Sequence, residues 1–301
     1  MEEIKKYKTR WFKIKNLIFP LFIWFLSYQS FAQKSSQENW EVLFDGTDLT
    51  QWEKYLGPKF GDGINWDNIE SQVPIGLNND PLKVFSIIEL EGENVLRISG
   101  EVWGGIFTKE EFENYHLRLQ FKWGKKKWYP REKETDKRDS GLLYHGIGNH
   151  GEDDMFWLKS QEFQIQEGDC GDFWGVGGTI IDIKAKLLED GESYIYDSNS
   201  SLLTFSETAE NGRNCKKFPD SEYPSGNWNT LDLYCYGGLS VHLVNGIVTM
   251  ILENSRHIEG EQEIPLVKGK IEIQSESAEV YYRDIRLRPI DGIPPVILNS
   301  Y

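Results

Sequence analysis

The chain has 301 residues, of which 33 are Lys or Arg and 48 are Asp or Glu, so its formal net charge is −15. A strongly acidic protein repels phosphate backbones and anionic lipid surfaces, which argues against nucleic acids as partners. Aromatic residues make up 14% of the chain and include 11 Trp. Some of these residues can form a core, whereas exposed aromatic faces can stack on the C–H groups of sugar rings.

The first thirty or so residues have the three parts of a secretory signal peptide. An apolar run at residues 17–26 is followed by small residues, Ser30 and Ala32, at the positions of a cleavage site. Ten apolar residues are too few for the roughly 20 that a membrane-spanning helix needs. We therefore predict a signal peptide over residues 1–32, export to the periplasm or the cell exterior, and no stable membrane insertion after cleavage. The basic residues before the apolar run are Lys5, Lys6, Lys8, Arg10, Lys13 and Lys15.

Residues 33–301 are predicted to form a single all-β domain. Residues 115–123 (YHLRLQFKW) alternate apolar and polar side chains, the period of a half-buried strand. Asn245 and Gly246 separate two apolar runs, which predicts a two-residue hairpin. Many short strands without helical periodicity favour a sandwich or jelly roll, and residues 186–227 are expected to be a long, irregular, polar insertion. Further strands are predicted at residues 40–44, 84–88, 95–99, 141–145, 162–166, 231–235, 270–274 and 280–288.

The chain has three cysteines, so at most one internal disulfide can form. An exported protein meets the oxidising conditions that permit such a bond. Cys170 and Cys215 are one candidate pair, because both lie in loop-like stretches. Cys235 alternates with Leu231 and Leu233, which predicts a buried thiol.

The densest polar cluster covers residues 138–145 (RDSGLLYH). On a strand, Asp139, Gly141 and His145 would share one face, and the absent side chain of Gly141 leaves room for a ligand. One interpretation places Asp139 and His145 in a cleft. The other makes Asp139 the cap of a turn and His145 a structural hydrogen-bonding residue.

A second cluster covers residues 160–169 (SQEFQIQEGD). Phe163 and Ile165 are expected to point into the core, which leaves Glu162, Gln164 and Gln166 on the opposite face. A row of polar groups is costly to bury unless it faces solvent or a ligand. The row therefore indicates either a binding cleft or the wet face of an edge strand.

Two tryptophans are candidates for stacking on a sugar ring, Trp103 and Trp174. Trp174 lies in a glycine-rich stretch (GDFWGVGG) that lacks the Lys-Ser/Thr of a phosphate loop. The sequence also lacks the His-Glu-x-x-His and Cys-x-x-Cys patterns of zinc sites and the Gly-x-Ser-x-Gly elbow of serine hydrolases. Tracts rich in Asp and Asn could hold Ca²⁺, but they are also typical of solvated loops.

These segments, taken in order, resemble the 3-keto-disaccharide hydrolase family, also called the DUF1080 domain. The resemblance spans residues 38–290. It departs from the family's pattern at Asp139, where many members have Asn, and at His145, where many have Arg. The segments that carry it are residues 40–52 (WEVLFDGTDLTQW), 105–112 (GIFTKEEF), 115–121 (YHLRLQF), 139–145 (DSGLLYH), 162–164 (EFQ), 227–230 (NWNT), 244–246 (VNG) and 282–288 (YRDIRLR).

The resemblance implies a concanavalin-A-like jelly roll of two antiparallel sheets and a carbohydrate substrate already oxidised to a ketone at C3. The ketone acidifies the C2 proton, so a base can remove it and the C1 substituent can leave, with net hydrolysis or elimination as the outcome. His145 is the hypothetical base, Glu162 the acid or alternative base, and Asp139 the third catalytic group.

The same resemblance implies roles in binding. Arg138 or a bound divalent cation would stabilise the enolate oxygen, and no other cofactor is implied. Gln164 and Gln166 would hold sugar hydroxyls, while Trp103 and Trp174 would contact the ring.

Two other functions stay open. A retaining glycosidase needs two carboxyl groups about 5–5.5 Å apart. Glu162 and Glu167 are five residues apart and share a strand face only through a bulge, which argues against that mechanism. A lectin-like module that binds sugar without chemistry is the third reading, and converging Asp139, His145 and Glu162 would favour an enzyme instead.

Overall fold

The structure, a computed structural model, describes residues 39–59 and 66–299. The signal peptide predicted over residues 1–32 lies outside these residues, so it stays a prediction. Among the residues described, no helix is long and apolar enough to cross a membrane.

The described part of the chain is built almost entirely from β-strands. A 3₁₀ segment at Trp66–Ser71 and one short helix, α1 (Pro295–Leu298), are its helical elements. The strands are β1 (Glu41–Phe44), β2 (Trp52–Leu56), β3 (Gly76–Leu77), β4 (Phe85–Leu90), β5 (Glu93–Ile98), β6 (Gly104–Thr108), β7 (Phe112–Glu113), β8 (Tyr115–Lys127), β9 (Asp139–Ile147), β10 (Lys159–Gln166), β11 (Phe173–Val176), β12 (Thr179–Leu187), β13 (Tyr194–Tyr196), β14 (Leu202–Phe205), β15 (Asn214–Cys215), β16 (Asn229–Tyr236), β17 (Leu239–Val244), β18 (Ile247–Glu259), β19 (Gln262–Pro265), β20 (Lys268–Ser275) and β21 (Ala278–Pro289).

These strands form two antiparallel sheets. In the site sheet the order is β15-β11-β10-β9-β20-β6-β2-β3, and β7 pairs with β20. In the back sheet the order is β13-β12-β18-β17-β16-β8-β21-β5-β4, with β1, β14 and β19 paired at its margins. Some neighbours, such as β8 and β21 or β6 and β20, come from distant parts of the sequence, as in a jelly roll. The predicted concanavalin-A-like sandwich is therefore confirmed.

The core lies between the sheets because each long strand alternates its side chains. Leu119 and Phe121 of β8 face inward, and they belong to one buried cluster with Leu142, Phe163 and Ile273 of the site sheet. The strand alternation predicted for residues 115–123 is confirmed, and inward-facing apolar groups exclude water from the whole interface.

The Asn245–Gly246 hairpin between β17 and β18 is also confirmed. Both residues have positive φ, 51° and 80°, which a type I′ turn requires and which Asn and Gly tolerate best. The turn fixes the register in which Val244 pairs with Ile247.

Residues 186–227 are more ordered than the expected irregular insertion. β13 and β14 pair with β12, which extends the back sheet, and β15 pairs with β11 of the site sheet. Tyr196, Phe205 and Cys215 are buried in a second cluster with residues of β12 and β18. A few apolar side chains, spaced far apart in a polar stretch, were sufficient to attach these strands to the sheet edges.

All three cysteines are free and buried, so the candidate disulfide between Cys170 and Cys215 is wrong. Cys170 packs in the main core and Cys215 in the second cluster, which keeps their sulfur atoms in separate environments. The prediction of a buried thiol at Cys235 is confirmed.

Candidate active site

Polar side chains cover the outer face of the site sheet on its adjacent strands β10, β9 and β20. Because successive residues of a strand point to opposite faces, every second residue of each strand contributes to this surface. β10 pairs with β9 so that Gln166 lies opposite Asp139, and Asp139 forms a bridge with Glu276 just beyond β20. The next row contains Gln164 and Gly141. The resulting surface includes Asp139, Glu162, Gln164, Gln166, Glu272, Gln274 and Glu276.

Gly141 lies at the centre of this surface. A Cβ atom at this position would lie 2.3 Å from both Gln274 Oε1 and Glu162 Oε1. Only glycine therefore lets these two side chains extend across the middle strand. The sequence-based expectation that Gly141 leaves space on a strand face is confirmed, and two functional side chains occupy part of that space.

A cavity of about 240 Å³ opens above these strands and is called the site pocket here. That volume corresponds to about eight waters at about 30 Å³ each, which suits a single pyranose ring. Its walls combine acidic, amide, basic and aromatic groups. The lining residues are Trp103, Arg131, Asp139, Asp153, Asp154, Trp157, Glu162, Gln164, Gln166, Trp174, Gly175, Val176, Arg213, Gln274 and Glu276.

Asp139 and Glu276 form a buried acidic pair at one end of the site pocket. Arg131 forms ion pairs with both carboxyl groups, with 3.0 Å between its Nη2 and Glu276 Oε1. Gln166 donates a hydrogen bond to Asp139 Oδ2 at 2.5 Å. Burial, followed by the charge of Glu276, raises the pKa of Asp139 well above its ordinary range, although Arg131 opposes the change. Two carboxyl groups and one guanidinium thus share the site, and this arrangement favours retention of a proton by the pair.

The loop between β8 and β9 brings Arg131 to this pair. Lys127 Nζ donates hydrogen bonds to the backbone carbonyls of Lys133, Glu134 and Asp136 at 3.0, 2.9 and 2.5 Å. These bonds close the loop on itself at the end of β8. The Lys127 ammonium, bound to three carbonyls, therefore stabilises the loop that positions the Arg131 guanidinium.

Glu162 is another carboxyl group of the site pocket, and only 5% of its surface is exposed. Burial, and then the charge of Glu276, raise the pKa of Glu162 well above its ordinary range, while Arg213 acts in the opposite direction. The protonated form of this side chain is therefore favoured to a higher pH than in a free glutamate. A protonated carboxyl in a pocket is suited to general acid catalysis.

Several polar atoms of the pocket walls have no partner in the part of the chain that the structure describes. They are Gln164 Oε1, Gln274 Oε1 and Trp157 Nε1. Leaving buried polar atoms unpaired costs about 1–3 kcal/mol each. A ligand with several hydroxyl groups would supply partners for all of them.

Aromatic rings form the walls around these polar atoms. Trp103 and Trp157 stack with their ring centroids 5.6 Å apart, and Trp103 Nε1 donates a hydrogen bond to Ser277 Oγ at 2.6 Å. On the opposite side, the Arg213 guanidinium lies 5.5 Å from the ring centroid of Trp174. The site pocket therefore has the mixture of ring faces and hydrogen-bonding groups that sugar recognition uses.

Six of the eight site residues predicted from sequence line this pocket, but His145 does not. A bulge in β9 lets Tyr144 pair with Gln161 while Ile147 pairs with Lys159, and His145 has a positive φ of 55°. The bulge shifts the alternation by one residue, so His145 contacts the ring of Tyr115 in the core instead of facing Asp139. Burial also lowers its pKa to about 4. The prediction that His145 shares the face of Asp139 is wrong.

Arg138 also lies outside the site pocket. Its Nη1 contacts both carboxylate oxygens of Glu167 at 2.8 and 2.9 Å, and its Nε donates to the carbonyl of Gly124. Asp139 begins the strand immediately after Arg138, and neighbouring residues point to opposite sides. Arg131, and not Arg138, is the arginine that lines the site pocket beside Asp139.

The functional residues of the site pocket that were missed at the sequence level include Arg131, Trp157, Arg213, Gln274 and Glu276. Glu272, Gln274 and Glu276 alternate with apolar or small residues, as the polar residues of β10 do. The part of this alternation at Glu272 and Gln274 was present in the predicted strand 270–274. Arg131 and Trp157 lie in loops, where no periodicity marks them.

A divalent cation was one candidate for stabilising the enolate. Across residues 39–59 and 66–299, no group of three or more His, Cys, Asp or Glu side chains is arranged to hold a metal ion. Arg131 and Arg213 are the basic groups that line the site pocket.

Glu272 gives the fold a testable dependence on pH. It is buried beside the pocket and accepts a hydrogen bond from the Leu158 N–H at 3.1 Å, and burial raises its pKa to about 8. Between the ordinary pKa of 4.5 and about pH 8, the folded state keeps a proton that the unfolded state releases. Stability therefore falls as pH rises through this range, and the loss is complete above pH 8.

Glu272→Gln removes this titration while keeping a hydrogen-bond acceptor. In the wild type, the free energy of unfolding should decrease between pH 5.5 and pH 8.5. In Glu272→Gln we expect this decrease to be smaller by about 3 kcal/mol. Urea denaturation at both pH values measures it, and Glu89→Gln is the control because Glu89 is exposed. An equal pH dependence in wild type and Glu272→Gln would contradict this account.

The fold and the site pocket together define a β-sandwich protein of the carbohydrate-active or carbohydrate-binding class. A family model described as the 3-keto-alpha-glucoside-1,2-lyase-like domain matches residues 39–288. The chain belongs to this family, and the resemblance inferred from the sequence motifs is confirmed. No curated protein matches the sequence.

Among solved structures, the chain is similar to a protein from Parabacteroides distasonis that is named as a proposed glycosyl hydrolase. It is 16% identical with a TM-score of 0.44, over 84% of this chain and 94% of that one. Another is the carbohydrate-binding module CBM66 from Bacillus subtilis, 8% identical with a TM-score of 0.37, over 68% of this chain and 91% of that one. These identities are too low to transfer the role of any residue to this chain.

Proposed function

We propose that this protein is an exported enzyme that cleaves 3-keto-glycosides by removing the proton at C2 and releasing the C1 substituent. One observation carries the proposal: buried carboxyl groups, among them those of Asp139, Glu162 and Glu276, line a pocket of single-sugar size. Family membership supports the 3-keto sugar as the substrate class. The signal-peptide pattern of residues 1–32 supports export.

The reaction needs a base, a proton donor and a stabilised enolate. In the proposed mechanism the ionised member of the Asp139–Glu276 pair takes the proton from C2, and the C–H electrons form an enolate with the C3 ketone. The C1–O bond then breaks, and Glu162 donates its proton to the departing oxygen. The product is an enone, to which water adds at C1 when net hydrolysis is the outcome.

The electrostatics of the site pocket support these roles. Glu162 lies apart from the Arg131 ion pairs and its pKa is raised by burial, so it is suited to be the donor. Arg131 forms ion pairs with both members of the acidic pair and so favours an ionised carboxylate there, which is suited to accept a proton. Arg131 and Arg213 are the cationic groups that can stabilise the negative charge of the enolate.

Release of the leaving group from matched 3-keto and unoxidised glucosides, with and without EDTA, tests the proposal. We expect release from the 3-keto sugar and not from the unoxidised one, because only the ketone acidifies C2. Loss of activity in EDTA would add a metal ion to the enolate site, whereas unchanged activity would assign that role to the arginines.

A retaining glycosidase is the second candidate function, because the site pocket contains more than one carboxyl group. Release from the unoxidised sugar would favour it over the proposal. The expected convergence of Asp139, His145 and Glu162 is met by Asp139 and Glu162 but not by His145, while Glu276 joins them in the site pocket. These carboxyl groups support an enzyme over a lectin-like module, and binding of 3-keto glucosides without turnover would revive the module.

A further inference from the structure

Beside the site pocket lies a wider opening, called the side chamber here, with a volume of about 950 Å³. Asp153, Asp154 and Arg213 line both spaces, so the two are adjacent. The site pocket has room for one ring, and the side chamber has room for a larger group attached to it. A glycoside bound with its sugar ring in the site pocket can therefore extend its C1 substituent into the side chamber.

The side chamber is strongly acidic. Five acidic residues line it, and it contains two basic ones, Lys159 and Arg213. Lys159 faces Glu152 at 4.0 Å, and Arg213 faces Glu207 and Asp153 at 3.3 and 3.8 Å. These pairs leave Glu70 and Asp154 without a basic partner in the described part of the chain.

Apolar groups complete the side chamber. Ile69 and Met155 line it and pack with Trp103 and Trp157 of the site pocket wall. These two side chains can contact the C–H groups of a leaving group, and the carboxylates of the chamber would lie around that leaving group. Asp154 and Met155 both have positive φ, 46° and 70°, so this part of the chamber wall is held in an uncommon backbone conformation.

We infer that the side chamber is a leaving-group subsite that selects by charge: it favours an ammonium-bearing substituent, accepts a neutral one and disfavours an anionic one. This inference rests on the proposed function. The unpaired carboxylates of Glu70 and Asp154 attract a cation and repel an anion, and neither charge is compensated within the chamber. Glu70 and Asp154 are therefore specificity-determining residues, distinct from the groups that move protons.

The test uses three 3-keto-glucosides whose phenolic leaving groups differ in a terminal ammonium, hydroxyl or carboxylate. We expect kcat/KM to be highest for the ammonium compound and lowest for the carboxylate. Each exposed charge should change the ratio of kcat/KM for the ammonium substrate to kcat/KM for the carboxylate substrate by about two- to fivefold. The double variant Glu70→Gln/Asp154→Asn should therefore reduce this ratio about tenfold. Added salt should reduce the ratio for the wild type but not for the variant.

The control variant is Glu189→Gln/Glu261→Gln, which makes the same change in net charge at exposed positions outside the chamber. It should keep the wild-type ratio. A ratio unaffected by the chamber substitutions, or a preference for the carboxylate, would overturn the subsite while leaving the 3-keto reaction intact. If no compound is turned over, the proposed function fails. Calorimetry with the unreactive S-linked ammonium and carboxylate analogues then still tests the subsite, through the ratio of their binding constants.

Discussion

Glu162→Gln is expected to lower kcat/KM for a 3-keto-glucoside with an alkoxide leaving group by about 10³-fold, since general acid catalysis contributes about 10²–10⁴. Gln has the same shape but no transferable proton. Steady-state kinetics on matched 3-keto-glucosides, one with an alcohol and one with a nitrophenol as leaving group, measures the effect. The nitrophenol leaves without protonation, so kcat/KM for this substrate should decrease far less.

Glu272→Gln is the matched control for this experiment. Glu272 is another buried carboxyl with a raised pKa on the same face of the site sheet, but it does not line the site pocket. It should retain activity within a few-fold. An equal loss with both leaving groups would show that Glu162 is the base and not the acid, and no loss with either would remove Glu162 from the mechanism.

Gly141→Ala is the second substitution with a large expected effect. The added methyl group would lie 2.3 Å from the carboxyl of Glu162 and the amide of Gln274, so both side chains have to move. Displacement of a catalytic group by about 1 Å can cost about 10²-fold in rate, and we expect kcat/KM to fall by at least that much. The open pocket above gives the two flexible side chains space to move, so Tm should change by only a few degrees.

Thermal unfolding and steady-state kinetics of Gly141→Ala measure the two effects separately. Gly292→Ala is the control, since no atom lies within 4 Å of its added Cβ. If Gly141→Ala kept full activity, Glu162 and Gln274 would not need their positions across the middle strand. If it unfolded instead, the position would be required for packing and not for the site.

The sequence predicted the sandwich because strand alternation is a local property. The period of residues 115–123 and the Asn245–Gly246 turn depend on neighbouring residues alone, and both are confirmed. The same reasoning identified Glu162, Gln164 and Gln166, because an alternating strand separates the polar face from the core face without knowledge of its partners.

Local reasoning failed where the chain departs from regular alternation. At His145 a bulge shifts the face by one residue, and bulges depend on the pairing of β9 with both β10 and β20. Arg131 and Trp157 reach the site pocket from loops, whose paths depend on the sheets that they connect.

The sequence by itself determined the all-β class, the family and one polar strand of the site. Only the tertiary structure decided which carboxyl groups converge, because Glu276 meets Asp139 through a bridge between segments more than a hundred residues apart. It also decided their proton affinity: burial of Asp139, Glu162 and Glu276 around one pocket raises their pKa values, and burial is a property of the packed sheets and not of the local sequence.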